Sequence, residues 1–273
     1  MHEPVRLQTP ADALANSDLP DPGRRRWLGR TVLACAALAG CAQRKGPGPD
    51  EAAAPSQVAP FSASAPDGRL PRGWEPYVLR RDKRPTRYGT EAHDGRTVLR
   101  ADSLGAATGL RCPVDIDPLH AGRLRFSWRV DDVDPRLTVT DPRIDDAPAR
   151  VILAFDGDLR RLSLRDLIFY EQVEAFTGQR LPYASLMYVW DGRAPRETVV
   201  QYARSGRIRY LVVDSGTQPA GRWRLHERDV VADFRRVFGE DPGPVRSVGV
   251  LTDSDDLDIA LTAWYGDISL TRS

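Results

Sequence analysis

Side chains whose types and spacing could do chemistry fall in four places. Asp253, Asp255, Asp256 and Asp258 lie between two apolar runs, and such alternating carboxylates suit Ca2+, which takes six to eight oxygens at about 2.3–2.6 Å. No Glu stands at the twelfth position, so this is not an EF-hand loop. Asp253, Asp255 and Asp256 are metal candidates, set against a solvated turn that keeps a sheet edge soluble. Asp156 and Asp158 flank Gly157, as a ligand pair or a tight hairpin. Asp191 follows Trp190, and a ring beside a carboxylate can stack on a sugar and bind its hydroxyls. Arg84 follows Lys83 in a basic stretch that Asp82 interrupts, and it suits phosphate or uronate groups as well as plain solvation. Arg84, Asp156, Asp158 and Asp191 are therefore the ligand-binding candidates. No cofactor is required, and Ca2+ is the one ion that this reading admits.

Catalytic signals are weaker. His93, His120 and His226 are too far apart to form a local metal motif, and no G-x-S-x-G, H-E-x-x-H, G-x-G-x-x-G or phosphate loop occurs. Glu171 and Glu174, one helical turn apart, could pair as in a glycosidase, but they read better as the wet face of a helix. Cys112 reads as a small buried residue on a strand. Trp264 is in phase with Ile268 and Leu270, which places it in the core and Tyr265 outside. The sequence leans against an enzyme.

The elements that must position these residues are mainly strands. In 122–131 the apolar set Leu124, Phe126, Trp128 and Val130 alternates with Arg123, Arg125, Ser127 and Arg129, a half-buried strand with an arginine ladder outside. Eleven further strands are expected, from Trp74–Leu79 to Leu261–Leu270, divided by turns such as Asp94-Gly95, Asp156-Gly157 and Ser215-Gly216. Helical spacing appears at Ser163–Phe176, with Ser163 and Asp166 as a capping box, and at Asp229–Phe238 before Gly239. With no βαβ rhythm, the expected fold is an antiparallel jelly-roll-type β-sandwich with two short helices.

The N-terminal part reads as an address. Arg24-Arg25-Arg26-Trp27-Leu28 precedes the apolar run Thr31–Gly40, too short for a membrane span, and then Cys41. Leu38-Ala39-Gly40-Cys41 resembles a bacterial lipobox, and Arg24 and Arg25 resemble a twin-arginine export pair, with Trp27 and Gly29 departing from its usual form. The expected organisation is a signal peptide over 1–40, a lipidated Cys41 with a flexible Ala/Pro/Ser/Gly tether over 41–67, and one folded domain over 68–273. Ala42 favours the outer over the inner membrane. The whole chain carries 39 Lys+Arg against 38 Asp+Glu, and removing 1–40 leaves it formally neutral. That excludes a protein built to coat nucleic acid.

The folded part resembles the bacterial domain-of-unknown-function family 3047. The matching blocks are Lys83–Tyr88, Trp128-Arg129-Val130, Phe155–Asp158, Tyr188-Val189-Trp190, Arg228–Glu240 and Ala263–Ile268. At Thr252–Leu257 the chain departs from the Asn-Thr-Gly associated with that family. The resemblance implies an exported or lipid-anchored envelope protein, with an outline similar to galactose-binding-like jelly rolls, and supplies no activity. The expectation is a membrane-anchored binding domain on the periplasmic side, taking an envelope glycan or another surface component. The alternatives are an enzyme on polysaccharide or cell wall, and a structural part of an envelope assembly whose partner protein meets Arg123, Arg125 and Arg129.

Overall fold

Alternating apolar residues build two curled sheets whose inner faces share one core. The computed structural model describes residues 54–78 and 82–272, so the expected export signal and lipidated Cys41 lie outside the described residues. Thirteen strands are present: β1 (Glu75–Tyr77), β2 (Arg87–His93), β3 (Arg96–Leu104), β4 (Gly109–Ile116), β5 (Arg123–Val130), β6 (Ala147–Phe155), β7 (Ala184–Asp191), β8 (Val199–Gln201), β9 (Ile208–Ser215), β10 (Arg224–Asp229), β11 (Val245–Asp253), β12 (Ala260–Tyr265) and β13 (Ser269–Thr271). One sheet has the order β1-β4-β11-β6-β7-β9-β8; the other runs β10-β5-β12-β3-β2, with β13 also on β5. All pairings are antiparallel except β7 with β9, which run parallel. The fold is the expected mainly-β sandwich.

Both helices sit where their caps place them. In α1 (Leu164–Thr177) Ser163 Oγ accepts from the Asp166 N–H and donates to its carboxylate at 2.6 Å, while Gly178 closes the helix at φ 71°. In α2 (Val230–Phe238) Asp229 accepts from the Ala232 N–H, and Phe234 packs on Phe155 at 4.6 Å. Among the described residues no helix is long and apolar enough to cross a membrane.

Two expectations need correction. The folded part begins before residue 68: Val58 and Phe61 are buried in the core, Phe61 against Trp74 at 4.7 Å. A single aromatic in an Ala/Pro/Ser stretch was enough to dock it. The last expected strand is in fact two, because the chain breaks at Gly266, where a Cβ would meet Ser127 Oγ at 2.3 Å. The phase of Ile268 therefore does not carry back to Trp264. Both residues are buried: Tyr265 lies between the sheets, its hydroxyl within 2.8 Å of Thr252 Oγ1, and Trp264, on the outer face, is covered by His93, Arg100 and Arg129.

One carboxylate ties the sheets together. Asp214 on β9 is wholly buried and accepts from Trp128 Nε1 (2.8 Å), Arg224 Nη2 (3.0 Å) and the ring of His226 (2.7 Å), all from the opposite sheet. Burial opposes its ionisation, but these hydrogen bonds outweigh it and hold the carboxyl below its usual range. Asp214→Ala leaves these donors facing an apolar gap, so urea unfolding should show a loss of about 3–5 kcal/mol. Leu225→Ser, on the solvent side of β10, should stay within about 0.5 kcal/mol of the parent.

Candidate ligand-binding groove

The residues singled out in the sequence divide between the two ends of the sandwich. Asp253 pairs with Ala147 at the start of β6, whereas Asp156 follows Phe155 at its far end. Nine residues of extended strand separate these ends by roughly 25 Å. Arg84, Asp191, Asp253, Asp255 and Asp256 belong to one end, Asp156 and Asp158 to the other, so they cannot form one site.

Most of them have structural tasks. Asp191 is wholly buried and accepts from Thr138 Oγ1 and from the N–H groups of Val139, Arg193 and Ala194 at 2.6–2.9 Å, fixing two loops. Asp158 caps a short 3-10 helix and grips Arg160, which holds its carboxyl below the usual range. Asp156 is likewise held low by Arg246 at 2.8 Å. Arg84 reaches Asp258 at 3.3 Å. Glu171 and Glu174 are exposed on α1, and Glu174 pairs with Arg180. The arginine ladder is paired, Arg123 and Arg125 sharing Glu227 and Arg129 meeting Asp131.

In the acidic loop, Asp253 and Asp255 are joined by Asp146 rather than Asp256, with one oxygen from each within 4.8 Å of the others. Asp256 instead accepts from the Asp145 N–H. Two cations already serve the cluster: Arg150, 3% exposed, lies 3.1 Å from Asp253 and 3.3 Å from Asp145, and Lys83 pairs with Asp255. Three oxygens are also half of what Ca2+ takes. Burial pushes the Asp253 carboxyl up to about 7 against the pull of Arg150, and repulsion from Asp145 and Asp146 adds to the rise. At 5% exposure Asp253 is closed to a substrate.

A shallow concavity lies beside Arg84, and a deeper, more apolar one lies on the outer face of the seven-stranded sheet. Strand register sets two rows of outward residues side by side: Arg111, Gly249, Ile152 and Met187 in one, and Pro113, Ser247, Ala154, Ser185 and Ile208 in the next. A water-facing sheet surface ordinarily alternates to polar residues. Here the outward positions inside Arg111 are small or aliphatic, and they floor a groove of about 530 Å³, within the range of small-molecule sites. Small side chains carve it: a Cβ on Gly249 would sit 3.2 Å from the Leu110 carbonyl oxygen. Tyr77 and Tyr183 stand on the rim with Arg111, Arg180, Arg246 and Asp156. Arg111 lies 5.0 Å over the Tyr77 ring.

Neighbouring segments explain where the groove stops. Val139 and Ala194 pack with Val189, Tyr210 and Val212, covering the same outer face beyond Met187. At the opposite end Leu159, Leu181 and Tyr183 form the wall. The groove is the uncovered stretch between. Its signal in the sequence is the pair of almost unbroken apolar runs at Val151–Phe155 and Leu186–Trp190, the pattern of strands buried on both faces.

Comparison with known proteins places these features in a wider setting. Residues 72–269 match a family described as "Protein of unknown function (DUF3047)". No curated protein matches. Among solved structures the chain is similar to endoglucanase 3 of Trichoderma harzianum, from family GH12, at 8% identity and a TM-score of 0.40, covering 78% of this chain and 95% of that one. It is similar to the Emp47p carbohydrate recognition domain at 12% identity and a TM-score of 0.36, with 80% and 95% covered. Against the arabinose-bound MgGH51 α-L-arabinofuranosidase the values are 9% and 0.38, and 79% of this chain spans about a quarter (26%) of that one.

The acidic loop yields a pH prediction. The unfolded Asp253 releases its proton near pH 4, the folded one near 7. Between these values the folded state holds the extra proton, so this group's contribution to stability is fullest below about pH 4 and declines as pH rises to 7. The unfolding free energy of the parent chain minus that of Asp253→Asn should therefore fall between pH 4.5 and 7.5 in urea titrations. A difference that is flat with pH contradicts the assignment.

Proposed function

The chain belongs to the DUF3047 family, whose function is unknown, and we propose that it is a lipid-anchored binding module of the bacterial cell envelope whose ligand lies in the groove of the seven-stranded sheet. The observation that carries this reading is the outward row of small and aliphatic residues, which leaves apolar surface facing water that a ligand would cover. The export pair Arg24 and Arg25, the anchor at Cys41 and an outer-membrane, periplasm-facing location complete it, as the sequence pattern suggests. Two lipid chains are enough to hold a formally neutral domain at a membrane without basic charge.

Two ligand classes suit the groove's edges. An envelope glycan would lay a C–H face on Tyr77 and direct hydroxyls to Arg246 and Asp156. A more apolar surface component would use the floor instead. Binding is favoured over hydrolysis because, among the described residues, the carboxylate lining the groove is Asp156, and Arg246, which it shares with Asp115, keeps it ionised. Two-carboxylate hydrolysis requires one carboxyl of its pair protonated. Calcium has no part in this reading, because Arg150 and Lys83 already serve the acidic loop.

Native mass spectrometry tests the groove. The full chain purified from envelopes should carry an added small-molecule mass that is released on unfolding, and Ser247→Phe should lose it while melting normally. Equal added mass on both proteins sinks the assignment of the groove. The anchor is tested separately: Cys41→Ser should move the protein from the membrane to the soluble fraction, and unchanged fractionation would refute lipidation.

A further inference from the structure

The floor and the rim of the groove differ in chemistry, and the difference selects between ligand classes. The half-buried side chains Ile152, Met187, Ile208 and Leu251 offer no hydrogen bond, and Gly249 and Ala154 between them add none. The hydroxyls on the floor belong to Ser185, which is buried, and Ser247. A sugar ring laid there would surrender hydrogen bonds to water along most of its edge without replacement, a cost of about 1–3 kcal/mol for each polar group left unpaired. A hydrocarbon chain surrenders none and gains from every methylene covered.

The rim adds hydrogen-bond donors. Arg111, Arg180 and Arg246 line the groove with Asp156. Each guanidinium is already paired, Arg111 with Glu75, Arg180 with Glu174, and Arg246 with both Asp115 and the lining Asp156. The recorded bond from Arg111 to Glu75 uses Nε at 2.7 Å, and its planar fork has five donors in all. Counted with their carboxylate partners the three guanidinium groups carry no positive surplus, so Arg111 and Arg180 offer an incoming head group the N–H donors of their outer nitrogens.

Resting on the assignment of the groove as the binding site, we infer that its occupant is a single-chain anionic amphiphile: a fatty acyl chain along the floor of Ile152, Met187 and Leu251, with its carboxylate accepting from Arg111 or Arg180, whose recorded bonds use Nε. The groove's volume of about 530 Å³ suits one such chain. The strands around it supply the mould, since small residues at Gly249, Ala154 and Ser247 keep the trough open where larger side chains would fill it.

Calorimetric titration of the full-length Cys41→Ser chain with decanoate, dodecanoate and tetradecanoate, each below its micellar concentration, tests this inference. Each buried methylene contributes ~0.8 kcal/mol, so affinity should rise about three- to fourfold per methylene until the chain outgrows the groove. Dodecanoate should bind at least tenfold more tightly than dodecyltrimethylammonium. Ser247→Phe, which fills the trough, and Met187→Asp, which charges the floor, should each weaken dodecanoate at least tenfold, with melting curves confirming that the variants fold. Affinity independent of chain length, or a preference for the cationic head, overturns the inference. If a neutral oligosaccharide such as xylohexaose or maltohexaose binds more tightly and Ser247→Phe abolishes that binding, the groove stands and the fatty-acyl occupant falls. If dodecanoate binds equally to the parent and both variants, the groove itself falls.

Discussion

A sheet that is apolar on both faces must be covered twice, and the seven-stranded sheet is such a sheet. Its inner face is covered by the second sheet, with Trp128, Phe126 and Tyr265 among the buried contacts. Its outer face is covered only in part. Val139, Ala194 and their neighbours seal the end beyond Met187, and Tyr183 with Leu181 walls the other. The stretch between is where the fold leaves apolar surface facing water, a condition that a solvated sheet face ordinarily avoids. The candidate site is thus a consequence of how far the covering segments reach.

Charge is managed locally throughout, and this separates structural acids from functional ones. Three turns repeat one device: Asp134, Asp141 and Asp158 each accept from the backbone N–H two residues on and from that residue's guanidinium, Arg136, Arg143 and Arg160. Arginine suits this task because its planar fork meets a carboxylate at two points. The buried acids follow the same logic over longer distances, Asp214 with Arg224 and His226, and Asp253 with Arg150. A carboxylate so engaged is an element of the fold. That is why clusters with the look of binding sites in the sequence lie at opposite ends of the molecule with their oxygens already occupied.

What the residues disclosed, and what they did not, follows from the range of each interaction. Helix caps are local, so Ser163 and Asp229 mark their helices, and period-two alternation shows the strand Arg123–Val130. The order of the family blocks was legible as well. Phase failed where it had to cross the break at Gly266, which exchanged the sides of Trp264 and Tyr265. The burial of Phe61 depends on Trp74, thirteen residues on in a stretch without periodicity, and no local rule reports it. The groove is assembled from five strands whose register is set by pairing, so its rows exist only after folding. The apolar runs on β6 and β7 were visible, but they are equally the mark of a strand with both faces covered.

The central claim is that the outer-face groove binds a ligand, and one atom reports on it directly. The chain has two methionines, Met1 and Met187, and Met187 lies on the groove floor. Carbon-13 labelling of the methionine methyl groups therefore places a single folded-domain probe at the site. On titration with dodecanoate, the Met187 methyl resonance should shift along a saturating curve with the same midpoint as the heat of binding. A measurable heat of binding with the Met187 resonance unmoved would place the ligand elsewhere and contradict the account.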